Sequence, residues 1–347
     1  VYQIAWRRNL GEHPPRFSEE QIFDEMRLPE ISCVTEWQHA GRSGLIVQHR
    51  AFQEITFFEL HPPTSADEPR ATLRPLGRAE SHSAVLCLSD QAWPNLCDWD
   101  ADGDMDLLAG GGYGWPRIVK NHGTRTEPAF GEPERLLADG EPIRFLRNEI
   151  LGDPPNGHNM GYPYPVFADW DNDGFRDLIC PNETNRLYWF KNVGTQDSPR
   201  FAPRRQILCD GYPDSAEQRS RSNLRANDPR SSNGVYPYEE ERPFFWRTGA
   251  AIADFNSDGL TDIITHDGHK RVATLFTQYR DDGGQLRLRR DRELTLADGR
   301  RINDAIVQRR AHWTESFRAV DWNQDGLQDL IYSVAGAHSG TPVSYTH

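Results

Sequence analysis

Several kinds of chemistry are missing from this 347-residue sequence. Its five cysteines, at positions 33, 87, 97, 180 and 209, form no close metal-binding or redox pair. Their odd number argues against a disulfide framework, so they read mostly as buried thiols. No apolar run is long enough to cross a bilayer as a helix. Residues 1–8 are not a signal peptide. There is no phosphate-binding glycine loop, dinucleotide fingerprint, His-Glu-x-x-His motif or Ser, Cys or Thr nucleophile motif. Positive charge is also scarce: 39 Lys and Arg stand against 52 Asp and Glu, for a net charge of -13. That balance argues against a nucleic-acid backbone as the main partner.

What the chain does have is turns and carboxylates. Its 28 glycines and 24 prolines predict frequent chain reversal, and a hydrophobic fraction of 37% suffices for a core. The run from Asp98 to Leu108 places acidic residues at loop positions 1, 3, 5 and 9 and Gly103 at position 6. This is a calcium-loop pattern, in which the glycine makes the turn that lets the carboxylates converge on one hard cation. Three further copies occupy 169–177, 254–262 and 321–329. Short apolar runs flank each copy, Val166 to Ala168 and Leu178-Ile179 among them, so each loop is expected to join two strands. A decayed copy at 36–44 keeps the aromatic and the central glycine and loses most of the ligands. It is not expected to hold calcium.

Two more signatures recur. Asn121-x-Gly-Thr leads to Phe130, Asn192-x-Gly-Thr leads to Phe201, and a shorter Asn9-Leu-Gly leads to Phe17. Each reads as a hairpin turn with the Phe opening the next strand. Leu-x-Asp-Gly then closes each unit at 137–140, 208–211 and 296–299. First loop Asp and closing Gly stand 42 positions apart in two units and 45 in the third. Strand, loop, strand, turn, strand, turn, strand at this spacing predicts an all-β propeller of four-stranded blades.

Five units are recognisable within a single domain. Residues 1–30 form a partial blade and 31–90 a degenerate one. Residues 91–164 are a blade plus connection, 165–248 a blade plus long insertion, 249–314 a blade and 315–347 a partial blade. The ends admit two arrangements. C-terminal strands can pair with N-terminal ones and close a five-membered ring, which removes open sheet edges. Alternatively the chain is cut from a ring of six to eight blades, which the poor fit of residues 340–347 to the repeat favours slightly.

The acidic loops and the Asn-x-Gly-Thr turns at 121 and 192 resemble the FG-GAP and VCBS-type repeats, the repeat of the integrin alpha-chain propeller. The resemblance covers most of the chain and departs from the pattern at 36–44 and within the 254 unit. It implies a calcium-binding propeller and an exported protein, whether secreted, periplasmic or at the cell surface. Such repeats occur in adhesion proteins, in exported bacterial proteins and in polysaccharide lyases.

The expected ligands in the first loop are Asp98, Asp100, Asp102 and Asp106 by side chain and Asp104 by its carbonyl. In the second they are Asp169, Asp171, Asp173 and Asp177 with the carbonyl of Phe175. Asp254, Asn256, Asp258 and Asp262 serve the third with Leu260. Asp321, Asn323, Asp325 and Asp329 serve the fourth with Leu327. Four structural Ca2+ ions would bring the net charge from -13 to -5. Trp99, Trp170, Trp322 and Phe255 hold one repeat position and read as packing rather than as a sugar-stacking surface.

Function is expected on the opposite face, where the connections between units run 28, 42 and 21 residues and the repeat breaks down. His158, Arg225, Tyr238, Arg247, His312 and Trp313 are the candidate ligand-face residues. The expected role is a glycan- or protein-binding scaffold module. The alternative is a lyase on a uronic-acid polysaccharide, with Arg neutralising the carboxylate and Tyr or His removing the adjacent proton.

Overall fold

The computed structural model describes residues 4–7, 9–11, 14–23, 31–49, 55–61, 71–79, 93–146, 161–184, 186–212, 243–245, 247–268, 270–307, 311–323 and 325–336. Among them the chain is all β, with a single turn of 3-10 helix at Asp304–Val307. It is a β-propeller. Four sheets of four or five strands stand as blades, and a fifth is assembled from both ends of the described chain.

Blade 1 comprises Ile31–His39, Arg42–His49, Ile55–His61 and Thr72–Arg78. Blade 2 comprises Pro94–Cys97, Asp106–Ala109, Arg117–Val119 and Glu134–Arg135. Blade 3 comprises Val166–Ala168, Asp177–Cys180, Tyr188–Phe190 and Arg205–Gln206. Blade 4 comprises Ala251–Ala253, Asp262–His266, Ala273–Arg280 and Leu286–Glu293. Within each, successive strands pair antiparallel.

A fifth blade draws on both ends of the described chain. Ala311–Val320 pairs with Asp329–Gly336, and Ala5–Trp6 pairs with Gln21–Ile22. An antiparallel bridge from Arg7 to Leu330 joins the two pairs. The repeat's own logic explains this pairing, because the Asn9 turn belongs to the loop at 321–329. The Asn9 N–H donates to Asp329 Oδ1 at 2.5 Å, as Asn121 and Asn192 donate to Asp106 and Asp177. The strand Ala311–Val320 begins inside the segment expected to be a connection, so His312 and Trp313 belong to a strand and not to a loop. Apolar residues alternating with polar ones through Phe317 and Ala319 favour the extended conformation over a crossing.

The core is not inside the blades but between them. Five apolar clusters occupy the five junctions, and one aromatic at loop position 2 enters each. Trp37 packs between blades 1 and 2, Trp99 between 2 and 3, and Trp170 between 3 and 4. Phe255 packs between 4 and 5, and Trp322 between 5 and 1. All five side chains are buried, which is packing and leaves little ring face for a sugar. The Leu-x-Asp-Gly turns are latches across the same junctions. The N–H groups of Asp139, Asp210 and Ala297 donate to the carbonyls of Phe201, Leu288 and Phe17 in the neighbouring blade. Cys33, Cys97, Cys180 and Cys209 are buried free thiols, and burial pushes Cys33 and Cys209 up to about 12. No helix among the described residues is long and apolar enough to cross a membrane.

Candidate metal loops and the opposite face

Each acidic loop leaves the first strand of its blade and returns on the second. Its ninth residue starts that second strand and is buried. Both its oxygens accept backbone N–H groups. Asp106 accepts from Trp99 at 2.9 Å and Asn121 at 2.8 Å, and Asp177 from Trp170 at 3.2 Å and Asn192 at 2.7 Å. Asp262 accepts from Phe255 and Gln278, and Asp329 from Trp322 and Asn9. One carboxylate thus ties the loop aromatic to the third strand of the blade. Burial pushes these acids up, to about 6 for Asp106 and Asp329 and about 7 for Asp177 and Asp262.

The other loop acids shape the turn. Asp169, Asp254 and Asp321 at position 1 accept the N–H groups of positions 5 and 6. Asp102, Asp173, Asp258 and Asp325 at position 5 accept the N–H two residues on. Gly103, Gly174, Gly259 and Gly326 at position 6 all have positive φ, between 85° and 91°, where a side chain is strained.

Position 3 divides the four loops. In the first two it is Asp100 or Asp171, and an inward oxygen of each is buried without a hydrogen-bond partner. Carboxylate oxygens of Asp98, Asp100 and Asp106 lie within 4.8 Å of one another, as do those of Asp169, Asp171 and Asp177. In the other two loops position 3 is an amide. Asn256 Nδ2 donates to Asp258 Oδ2, and Asn323 Nδ2 to Asp325 Oδ2, both at 2.9 Å. Among the described residues, only the first two loops bring three acidic side chains together in this way. A lysine approaches each of these two triads. Lys191 Nζ pairs with Asp171 and with Asp173 Oδ2 at 2.6 Å, and Lys120 Nζ is 3.9 Å from Asp100 Oδ2.

The decayed loop at 36–44 has become a two-residue hairpin. His39 pairs with Arg42, and Ala40 and Gly41 both have positive φ. Carboxylates are absent from this turn.

On the opposite face Arg247 is the expected ligand residue whose side chain is described, and the fold has engaged it. It is 4% exposed, its Nε is 3.2 Å from Glu183 Oε2, and its Cζ lies 3.7 Å from the centre of the Tyr162 ring. Its N–H donates to the Asn182 carbonyl, and its own carbonyl accepts from Tyr164 Oη at 3.0 Å. Arg247 therefore joins blades 3 and 4. His158, Arg225 and Tyr238 lie outside the described residues. His312 and Trp313 fall in the first strand of blade 5.

A second buried ionic cluster on this side was not foreseen from sequence. Glu315 Oε2 is 2.6 Å from His266 Nδ1 and accepts from Tyr332 Oη at 3.0 Å, while Arg271 pairs with Glu315 Oε1. His266 is fully buried beside Phe317 and Tyr332. Burial, helped by the Arg271 cation, holds its imidazole well below the usual histidine range, against the pull of Asp267. The available signal was a histidine ending the apolar strand Asp262–His266 and a glutamate inside another strand.

No protein-family model matches the chain, and no curated protein matches it in sequence.

Proposed function

We propose that the chain is a calcium-stabilised propeller of the FG-GAP or VCBS type that acts as a binding or scaffold module for a glycan or a protein. The observation that carries the metal reading is the donor set of the loops at 98 and 169. It consists of oxygen alone, and Asp100 and Asp171 each contribute a buried oxygen that lacks a partner. Uncompensated buried carboxylate oxygen is costly, and hard oxygen donors without nitrogen or sulfur suit calcium. In these loops Asp98, Asp100, Asp102 and Asp106, and Asp169, Asp171, Asp173 and Asp177, would hold the ion. A bound cation supplies charge neutralisation and cross-links the hairpin between the inner strands.

The scaffold reading is favoured over the lyase because Arg247 has its guanidinium on Glu183 and Tyr162. A carboxylate-neutralising arginine has to present its donors to substrate. Calcium titrated calorimetrically into chelator-treated protein tests the metal reading. Two sites are expected, with Asp100→Asn and Asp171→Asn removing one each. Absence of binding heat and of any melting shift would sink it. Incubation with a panel of acidic polysaccharides, followed by ultraviolet absorbance of unsaturated uronates, tests the rest. Product formation would replace the scaffold reading with the lyase.

A further inference from the structure

Between blades 1 and 2, on the side of the metal loops, lies a cavity of about 430 Å³. It is bounded by the 39–42 hairpin, the end of the strand Thr72–Arg78 and the turn from Asn121 to Phe130. Its volume falls in the range of small-molecule sites, roughly 300–1,000 Å³. Its walls are unusual for a protein of net charge -13. Arg42, Arg78, Arg125 and His39 line it, and among the described residues the lining includes no acidic side chain. The remaining wall is largely apolar, with Phe57, Leu76, Met105 and Phe130 contributing.

His39 marks the polar end. Both its ring nitrogens are secluded from solvent and neither has a hydrogen-bond partner. Leaving both unsatisfied costs free energy that an accepting ligand oxygen would recover. Burial lowers the proton affinity of this imidazole, and Arg125 and Arg42 lower it further. An anion lodged among the three groups reverses the electrostatic part of that effect. Arg42 is held by Glu59 at 2.5 Å, which fixes its position while leaving it at the cavity wall.

We infer that this cavity is a binding site for a small organic carboxylate carrying an apolar ring face, with the carboxylate among His39, Arg42 and Arg125 and the ring against Phe57, Leu76 and Met105. Arginine recognises carboxylate through paired charge-assisted hydrogen bonds, and the apolar wall selects against a bare ion. The site exists where it does because the acidic loop has decayed. An intact loop at 36–44 would set carboxylates at 38, 40 and 44, next to His39 and Arg42, and a ligand anion would be repelled. The inference uses no carboxylate of the acidic loops and nothing on the opposite face, and so stands apart from the metal and scaffold readings.

Sugar acids and aromatic acids share this chemistry, and the test separates them. Glucuronate, benzoate, their neutral counterparts glucose and benzyl alcohol, and inorganic phosphate are titrated calorimetrically into the full chain, with calcium and with chelator. At least one carboxylate is expected to bind with Kd below about 1 mM, and the neutral probes much more weakly. Arg125→Gln, on an exposed turn, is expected to weaken that carboxylate about tenfold or more with unchanged melting temperature. His39→Asn should act in the same direction, and Asp100→Asn should leave carboxylate binding unchanged. Glucuronate binding alone assigns a sugar acid, and benzoate binding alone an aromatic acid. The inference is overturned if neither binds by about 10 mM, if the neutral probes or phosphate bind as tightly, or if Arg125→Gln has no effect.

Discussion

The loops at 98 and 169 and those at 254 and 321 follow the same backbone path. All four hold position 9 with two backbone N–H groups, bury an aromatic at position 2 and turn on a position-6 glycine. They part at one atom. Where position 3 is Asp, a buried oxygen lacks a partner; where it is Asn, an amide N–H bonds the position-5 carboxylate. The loop is therefore two devices superimposed. One is a hydrogen-bonded staple, and the other is the cation site proposed above, whose strength position 3 would set.

The sharpest way to break this comparison is to remove the staple from one loop of each kind. Asp177→Ala and Asp262→Ala each strand two buried N–H groups and are expected to cost about 3–5 kcal/mol. The cost should be similar in the two loops when measured by urea unfolding in chelator. A loss at Asp177 with less than about 1 kcal/mol at Asp262 would show that the staple is not shared.

Calcium should then separate what the staple leaves equal. Each occupied site stabilises by about 2.7 kcal/mol when free ion is a hundredfold above Kd. Asp100→Asn and Asp171→Asn should each lower the stoichiometry by one and shrink the calcium-dependent rise in melting temperature. The reverse change is more informative. Asn256→Asp is expected to add a site, because it replaces the donating amide with a third acid. Unaltered stoichiometry in Asn256→Asp would show that position 3 is not what sets affinity.

The two faces differ as well in how they answer to acid. Burial disfavours the charged form of His266 in the folded chain and holds its proton affinity below the ordinary value of 6.5. Below that pH the unfolded chain takes up a proton that the folded chain refuses. The neutral imidazole thus contributes stability above 6.5, and that contribution is lost as pH falls. This contribution amounts to on the order of 1 kcal/mol per pH unit and opposes that of the four buried loop acids raised to about 6–7, so it is read as the difference between wild type and His266→Gln in urea unfolding between pH 7 and 5. His266→Gln should change the slope by that amount, toward greater stability at low pH, whatever it does to absolute stability. An equal slope in the variant would place the acid sensitivity elsewhere.

These contrasts also show what was legible in the residues themselves. The acidic loops and their strands could be read because spacing, glycine and flanking apolar runs act over a few residues. The Asn9 turn was visible as a repeat fragment, but its partner Asp329 is 320 residues away, so ring closure stayed open. The Leu-x-Asp-Gly turns were recognised as endings and not as latches, since the partner carbonyl belongs to the next blade. Least legible was the opposite face. Arg247 reads in sequence as a ligand-face candidate, and only the packing of blades 3 and 4 places Glu183 and Tyr162 on it. His266, Glu315 and Arg271 carry no spacing signature because Glu315 reaches the 266–271 segment from a strand of another blade.

The smallest expected effect tests whether a side chain already plays the cation's part. Lys191 Nζ sits between Asp171 and Asp173, whereas Lys120 Nζ stays 3.9 Å from Asp100. Lys191 and its acids are partly exposed, so solvent screening limits the pair to about 0.5–1 kcal/mol. Lys191→Met should lower the stability of chelator-treated protein by that amount. The same change should tighten calcium at the 169 loop about two- to fivefold, because the ion no longer displaces an ammonium group. Lys120→Met should leave both quantities nearly unchanged. If the lysine were only a surface ion pair, chelator-treated stability would fall and calcium affinity would not move. Opposite movement of the two quantities in one variant identifies Lys191 as a built-in competitor that keeps the 169 loop closed when calcium is scarce.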